Sequence, residues 1–205
     1  GLLAYNDKNY EEALKSFERV HNQEEYKDIV PYYEAEANYF QGNYDKVLTL
    51  SNRYLRKSDK LFYDKEMQLL TGQTLFEQKK FKEALPYFEY YYDNSEKIRK
   101  EELYELAYTY YRLEKWPQAI EKFQPLSNAQ DSLGQTSMYL LGDCYLKTGD
   151  KKGARNAFGI CADMDFNASQ KEAASFLYAK LSYELGNESI ATREFYDFLK
   201  QYPNS

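Results

Sequence analysis

Apolar residues along this chain recur at helical spacing, and the blocks they form repeat. The phrase aromatic-x-x-Ala-x-x-x-aromatic appears, strictly or loosely, as YEEALKSF, YDKVLTLS, FKEALPYF, WPQAIEKF, KKGARNAF and ESIATREF. Its central positions are Ala13, Val47, Ala84, Ala119, Ala154 and Ala191, spaced by 34, 37, 35, 35 and 37 residues. Four positions on stand Phe17, Ser51, Phe88, Phe123, Phe158 and Phe195. Three further on come Val20, Tyr54, Tyr91, Leu126, Cys161 and Phe198. Residues at i, i+4 and i+7 share one face of a helix, so each phrase predicts an amphipathic helix. Twelve residues before each centre is a small residue: Gly1, Ala35, Gly72, Ala107, Gly142 or Ala179. A fixed period of this length marks a stacked array rather than a globular core.

Each period reads as two helices. The first carries small and large apolar residues together, as in Leu141, Gly142 and Tyr145, and the small one lets two helix backbones approach closely. A break follows, marked by Gly42, Gly149 or Gly186, or by the charged turns Lys79-Lys80 and Glu114-Lys115. Lys147-Thr148-Gly149 therefore closes a helix, with a cation near the negative end of its dipole. It is no phosphate loop, which requires Gly-x-x-x-x-Gly-Lys-Ser/Thr after a strand. Pro117 and Pro31 fall near helix starts, where the missing N–H is tolerated. Pro86 lies about one turn in. Pro125 cannot bond back to Glu121 and predicts a kink or an early stop. No segment shows sustained strand alternation, so the expectation is all-α.

The pattern resembles the tetratricopeptide repeat (TPR) family along the whole chain. LLGDCYLKTGDKKGARNAF carries the family's Leu-Gly-x-x-Tyr, turn Gly, Ala and Phe positions, and Tyr202-Pro203 supplies its terminal Pro. The family's leading Trp is replaced by Pro31, Gln68, Leu103, Met138 and Ser175, and Asn38 stands where Tyr is usual. The resemblance implies a right-handed superhelical solenoid of antiparallel helix pairs spanning 1–205. Its repeats would run over about 1–27 (starting inside a first helix), 28–61, 65–98, 100–133, 135–168 and 172–205. It also implies a concave face lined by the first helices. One column on that face holds Tyr32, Leu69, Tyr104, Tyr139 and Phe176. A second holds Tyr5, Tyr39, Phe76, Tyr111, Leu146 and Tyr183, with Tyr108 between them on the fourth repeat. The partner-binding groove is thus assigned to Tyr32, Tyr39, Phe76, Tyr104, Tyr108, Tyr111, Tyr139, Phe176 and Tyr183. At each of these, packing against a neighbouring repeat is the competing role.

Composition narrows the function. Tyr occurs 23 times and Phe 12, against one Trp and one His. Tyrosine joins a large apolar face to a polar tip, which suits contact surfaces for an extended peptide or an amphipathic helix. The expected function is a non-enzymatic protein–protein interaction scaffold. The alternative is a structural spacer or homo-oligomerisation module whose ends make the contacts, and a third reading stacks glycans on the tyrosines. The positions that form a cationic carboxylate clamp in some relatives hold Glu36, Gln73, Tyr108, Asp143 and Lys180, so that subclass is rejected. The net charge of −6 and the carboxylates diluting KKFK (79–82) and KIRK (97–100) argue against nucleic acid. No apolar run reaches the ~20 residues of a membrane helix.

Catalytic and cofactor chemistry find no support. His21 has no second His or Cys at ligand spacing and reads as a surface residue. Cys144 and Cys161 match buried positions on different helices, which argues against a disulfide or a metal pair. Glu11-Glu12 and Glu101-Glu102 read as exposed charges at helix starts. No catalytic residue, metal or cofactor is expected. The sequons at Asn167 and Asn187 count only in a glycosylating compartment. The chain opens at Gly1 inside a helix and reads as an excised piece, with apolar surface expected at Phe195, Phe198 and Leu199 for further repeats or end-to-end self-association. FLKQYPNS and GDCYLKTGD look like bacterial cell-envelope members of the family, including those of the Tol–Pal system and outer-membrane assembly, with the cytoplasm left open.

Overall fold

The computed structural model describes residues 1–21, 23–56 and 62–205. Position 22 in the first predicted repeat and the end of the second, 57–61, lie outside the described residues. The chain divides into two compact units, Gly1–Ile98 and Arg99–Ser205. No strand occurs among the described residues.

The first unit holds α1 (Leu2–Asn6), α2 (Tyr10–Glu18), a 3₁₀ turn at Glu24–Tyr26, α3 (Val30–Phe40), α4 (Tyr44–Leu55), α5 (Asp64–Glu77) and α6 (Phe81–Asn94). Each helix packs on the next, and α3 also touches α5. The second unit holds α7 (Lys100–Arg112), α8 (Trp116–Phe123), a 3₁₀ segment at Gln124–Asn128, α9 (Ser132–Lys147), α10 (Lys151–Ala162), α11 (Ala168–Glu184) and α12 (Glu188–Gln201). There α7 touches α9, and α9 touches α11. Within each unit the odd-numbered helices, first in each pair, therefore touch one another as well as their own partners.

The aligned centres Ala13, Val47, Ala84, Ala119, Ala154 and Ala191 are all buried. The small residues sit against the aromatics four positions beyond those centres. A Cβ on Gly142 would stand 2.7 Å from the Phe158 ring, and one on Gly72 2.9 Å from Phe88. These two pairs thus close on a glycine-to-phenylalanine contact in which an added methyl would crowd the ring, whereas Ala107 and Ala179 hold the same register position in others. The second repeat lacks that ring. Ser51 is buried there and hydrogen-bonds the Thr71 hydroxyl, which in turn donates to the Met67 carbonyl at 2.6 Å.

Every pair turns in the same way. Lys8, Gly42, Lys79, Glu114, Gly149 and Gly186 all have positive φ, between +57° and +81°. Each lies five residues before an aligned centre. In each turn this residue's N–H bonds three residues back and the next N–H five back, as in Gly149 to Leu146 and Asp150 to Tyr145. That double bond is the Schellman end of a helix, which requires a left-handed residue.

Prolines fall as their chemistry demands. Pro31 and Pro117 sit in the first turns of α3 and α8, and Pro86 is carried inside α6. α8 stops at Phe123, and Pro125 lies in the 3₁₀ segment that follows, the early end expected from its missing N–H. α9 ends at Lys147, with Thr148 as its cap and Gly149 at φ +81°, so this stretch is a helix end. Asn38 is buried and satisfied, donating to the Glu34 carbonyl at 2.8 Å.

Candidate functional site: the first-helix faces of the two units

In the second unit, Tyr104, Tyr108 and Tyr111 lie one helical turn apart along α7 and stack in a row. Their ring centroids are 5.8 and 6.0 Å apart, with planes tilted by only 20° and 24°. Tyr104 rests edge-on against Phe123 at 6.1 Å, and its burial pushes the phenol up to about 12. Tyr111 meets Trp116 edge-on at 5.5 Å and donates its hydroxyl to Asp143 Oδ2 of α9 at 2.8 Å. Burial first, and that carboxylate second, raise its phenol well above the ordinary tyrosine range. Tyr108, half-buried between them, has the Arg112 guanidinium 5.8 Å from its centroid and accepts from Arg112 Nη1 at 3.3 Å. Three aligned phenol rings with one arginine make a stiff, amphipathic strip.

Further along the same unit, Tyr139 of α9 is half-buried and edge-on to Phe158 at 5.7 Å. Phe176 of α11 leans on Phe195 (6.1 Å) and Phe198 (5.6 Å) yet keeps 43 % of its surface exposed. Tyr183 is 65 % exposed at the end of α11, beside Glu184, which pairs with Lys151 at 2.8 Å. Phe198 itself is buried, covered by Phe176 and by Tyr202 at 5.1 Å. The expected bare apolar end therefore reduces to Leu199 and Tyr196, both largely exposed.

In the first unit, Tyr32 stacks on Tyr63 at 4.6 Å and 12°, and the Tyr63 hydroxyl lies 3.0 Å from that of Tyr33. Tyr5 hydrogen-bonds Glu36 of α3. Tyr39 is half-buried against Tyr44 and Phe40, at 5.8 Å from each. Phe76 is half-buried, edge-on to Phe81 (5.5 Å) and Phe88 (6.1 Å).

Tyr5 to Glu36 and Tyr111 to Asp143 are the same contact. In both, the residue eight before an aligned centre donates to the carboxylate eleven before the next centre. Glu36 and Asp143 stand outside the two columns, at the positions set aside as a clamp, so this bond was not legible in the sequence, and Tyr63 lies outside both columns as well. Two other readings need correcting. His21 is half-buried, with Nδ1 2.9 Å from Glu34 Oε2, because the loop after α2 folds against α3. Glu102 is buried rather than exposed. It accepts from the Arg99 backbone N–H at 2.9 Å and from Arg99 Nε at 2.7 Å, capping α7.

Reactive groups offer little chemistry. Cys144 and Cys161 are free and fully buried, and burial pushes both thiols up to about 12, so they are protonated at neutral pH. Among the described residues no group of three His, Cys, Asp or Glu side chains could hold a metal ion. No described helix is long and apolar enough to cross a membrane.

Residues 77–161 match the family model described as anaphase-promoting complex, cyclosome, subunit 3. No curated protein sequence matches the chain. Several solved structures share its fold. YrrB, "a TPR protein with an unusual peptide-binding site", superposes with a TM-score of 0.72 at 14 % identity, covering 93 % of this chain and 94 % of that one. The C-terminal part of a TPR repeat-containing protein from Cytophaga hutchinsonii gives 0.68 at 15 %, covering 98 % and 77 %. MamA gives 0.64 at 15 %, covering 87 % and 93 %. The chain has the fold of these tetratricopeptide-repeat structures: an all-α array of stacked helix pairs.

Proposed function

We propose that this chain, with its tetratricopeptide-repeat fold, is a non-enzymatic interaction scaffold that holds an extended peptide or a helix of a partner protein on its first-helix faces. The observation that carries this reading is the stacked row Tyr104, Tyr108, Tyr111 on α7. Aromatic rings already ordered by stacking lose little freedom on binding, and their hydroxyls can bond a peptide backbone. The similarity of fold to YrrB, a protein with an unusual peptide-binding site, supports the same use of the fold.

The test is a selection of random peptides displayed against the whole chain, followed by titration of the enriched sequences. An enriched peptide should weaken by about tenfold on Tyr108→Ala, a half-buried ring at the centre of the row. Tyr104 is the worse probe, because its contact with Phe123 makes its loss a packing defect as well. Absence of enrichment, or unchanged affinity in the variant, refutes the proposal.

A further inference from the structure

Between the second helices α10 and α12 lies a groove of about 510 Å³, floored by α11, which packs against both. Arg155 is out of place in it. One position beyond the aligned centres stand Leu14, Leu48, Leu85 and Ile120 in the first four repeats, each buried or half-buried, but Arg155 in the fifth. In the first unit the groove at the same place, between α2 and α4, has Leu14 at this position and Glu34 where Tyr178 stands. The packing of the repeat therefore asks for an apolar residue here, not a cation. Arg155 is half-buried, with its guanidinium carbon 5.5 Å from the centroid of the Tyr178 ring. Its Nε is shielded from solvent and has no hydrogen-bond partner, which leaves the unshielded terminal nitrogens, Nη1 and Nη2, as the donors that the groove presents. No carboxylate among the described residues pairs with Arg155. Of the two acids in the groove, Glu194 is held by Arg193 at 2.8 Å. The other, Asp163, stands at the far end of α10, eight residues and about 12 Å of helix rise away. Lys152, exposed one turn before Arg155 on the same side of α10, adds a second positive charge. A charge half-withdrawn from water without a counter-ion is costly, and the aromatic contact offsets that cost only in part.

We propose that this groove receives the carboxylate of a glutamate or aspartate in an acidic segment of a partner protein. Nη1 and Nη2 donate to its two oxygens as a parallel pair, and the Tyr178 ring backs the guanidinium. Ile160, exposed on α10 and lining the same groove, meets an apolar neighbour of that acid. One free guanidinium matches one carboxylate. A doubly charged phosphoryl group would call on Arg193 as well, which Glu194 already holds. A cationic segment meets Arg155 and Lys152 as like charges and is turned away. The groove uses none of the α7 tyrosines, so it is a second contact surface, and neither surface needs the other.

The test uses the whole chain and two fluorescent peptides. One repeats glycine-leucine-glutamate and the other glycine-leucine-glutamine, which has the same shape without the charge. Anisotropy should show the glutamate peptide binding at least about tenfold more tightly, with affinity falling as salt rises. Arg155→Leu restores the residue type of the earlier repeats, so it should stay folded by circular dichroism and bring the two peptides level. Arg155→Gln carries the same test if Arg155→Leu loses its fold. Arg155→Lys keeps the charge without the fork and should recover only part of the preference. Lys82→Gln, which removes an equal charge from the exposed side of α6, should change nothing. Failure of the glutamate peptide to bind, equal binding of the two peptides, or an undiminished preference in Arg155→Leu overturns the proposal. So does an equal loss in Lys82→Gln, which would make the attraction one of bulk charge. An RNA oligonucleotide bound more tightly than the glutamate peptide, and lost in Arg155→Leu, would make the groove a phosphate site and overturn the carboxylate assignment. The peptide selection read through Tyr108 reports on the other surface and stands or falls independently.

Discussion

Replacing Lys79 or Glu114 by glycine should stabilise the protein, an outcome that side-chain contacts alone would not predict. Both residues hold φ near +60°, where an L side chain's Cβ crowds the backbone. That conformation costs a non-glycine residue about 1–2 kcal/mol. Glycine removes the cost but adds freedom to the unfolded chain, which takes back ~0.5–1 kcal/mol. The net gain is then about 0.5–1 kcal/mol at each site, and the two should add, because they lie in different units and bond to different residues. The reciprocal substitution isolates the same term. At Gly149, φ is +81° and an added Cβ meets nothing within 4 Å, so Gly149→Ala tests conformation without a clash. It should cost about 1 kcal/mol. Urea denaturation followed by circular dichroism and by tyrosine fluorescence gives the midpoints, with the slope checked for constancy. A neutral or destabilising Lys79→Gly together with a harmless Gly149→Ala would refute the conformational account.

Three further outcomes follow from other features. Gln135 is fully buried and ties the α10–α11 connection to α9, donating from Nε2 to the carbonyls of Met164 (2.9 Å) and Cys161 (3.2 Å) and accepting from the Asn167 N–H (2.6 Å). Gln135→Leu leaves at least two buried backbone groups unpaired and should cost about 3 kcal/mol by urea denaturation. Gly142→Ala drives a methyl into Phe158 and should cost about 1–3 kcal/mol despite alanine's better helix propensity. Its cost should shrink in a Phe158→Leu background, read as a double-mutant cycle. Tyr54 and Tyr104 hold phenols raised from 10.0 to about 12, so between those values the folded state binds more protons than the unfolded state. Stability should therefore be intact below pH 10 and fall as pH rises towards 12, and Tyr104→Phe should flatten that fall in alkaline melting curves.

Much of the fold was legible because it depends on spacing within a helix pair. The small residue, the aligned centre and the aromatic four beyond it lie on predictable faces, and Gly142 against Phe158 is what that arithmetic requires. Lys79 and Glu114 could be placed at turns by register, although nothing in a lysine or glutamate side chain announces a positive φ. Contacts between pairs were harder to read. The Tyr111 to Asp143 bond depends on how α9 is rotated against α7, which no single period encodes. Tyr63 belongs to the lead-in of α5, outside the repeating columns, yet its ring backs Tyr32. Glu102 reads as one more exposed acid at a helix start. The cap it forms with Arg99 depends on an extended residue before the helix, which the pattern of apolar positions does not reveal.

The Tyr5–Glu36 and Tyr111–Asp143 bonds bear on how such a chain can be lengthened or rearranged. Each bond is shared by two successive repeats, one supplying the hydroxyl and the next the carboxylate. A gene segment encoding the first, second, fourth or fifth repeat therefore carries half of one such joint. Leu146 stands where the hydroxyl would be and Lys180 where the carboxylate would be, so the fifth and sixth repeats meet without this joint. The repeats are alike in outline but not interchangeable in sequence order. A transplanted repeat that keeps every core residue could still leave a tyrosine or a carboxylate facing the wrong neighbour, so order along the chain is itself part of what the sequence specifies.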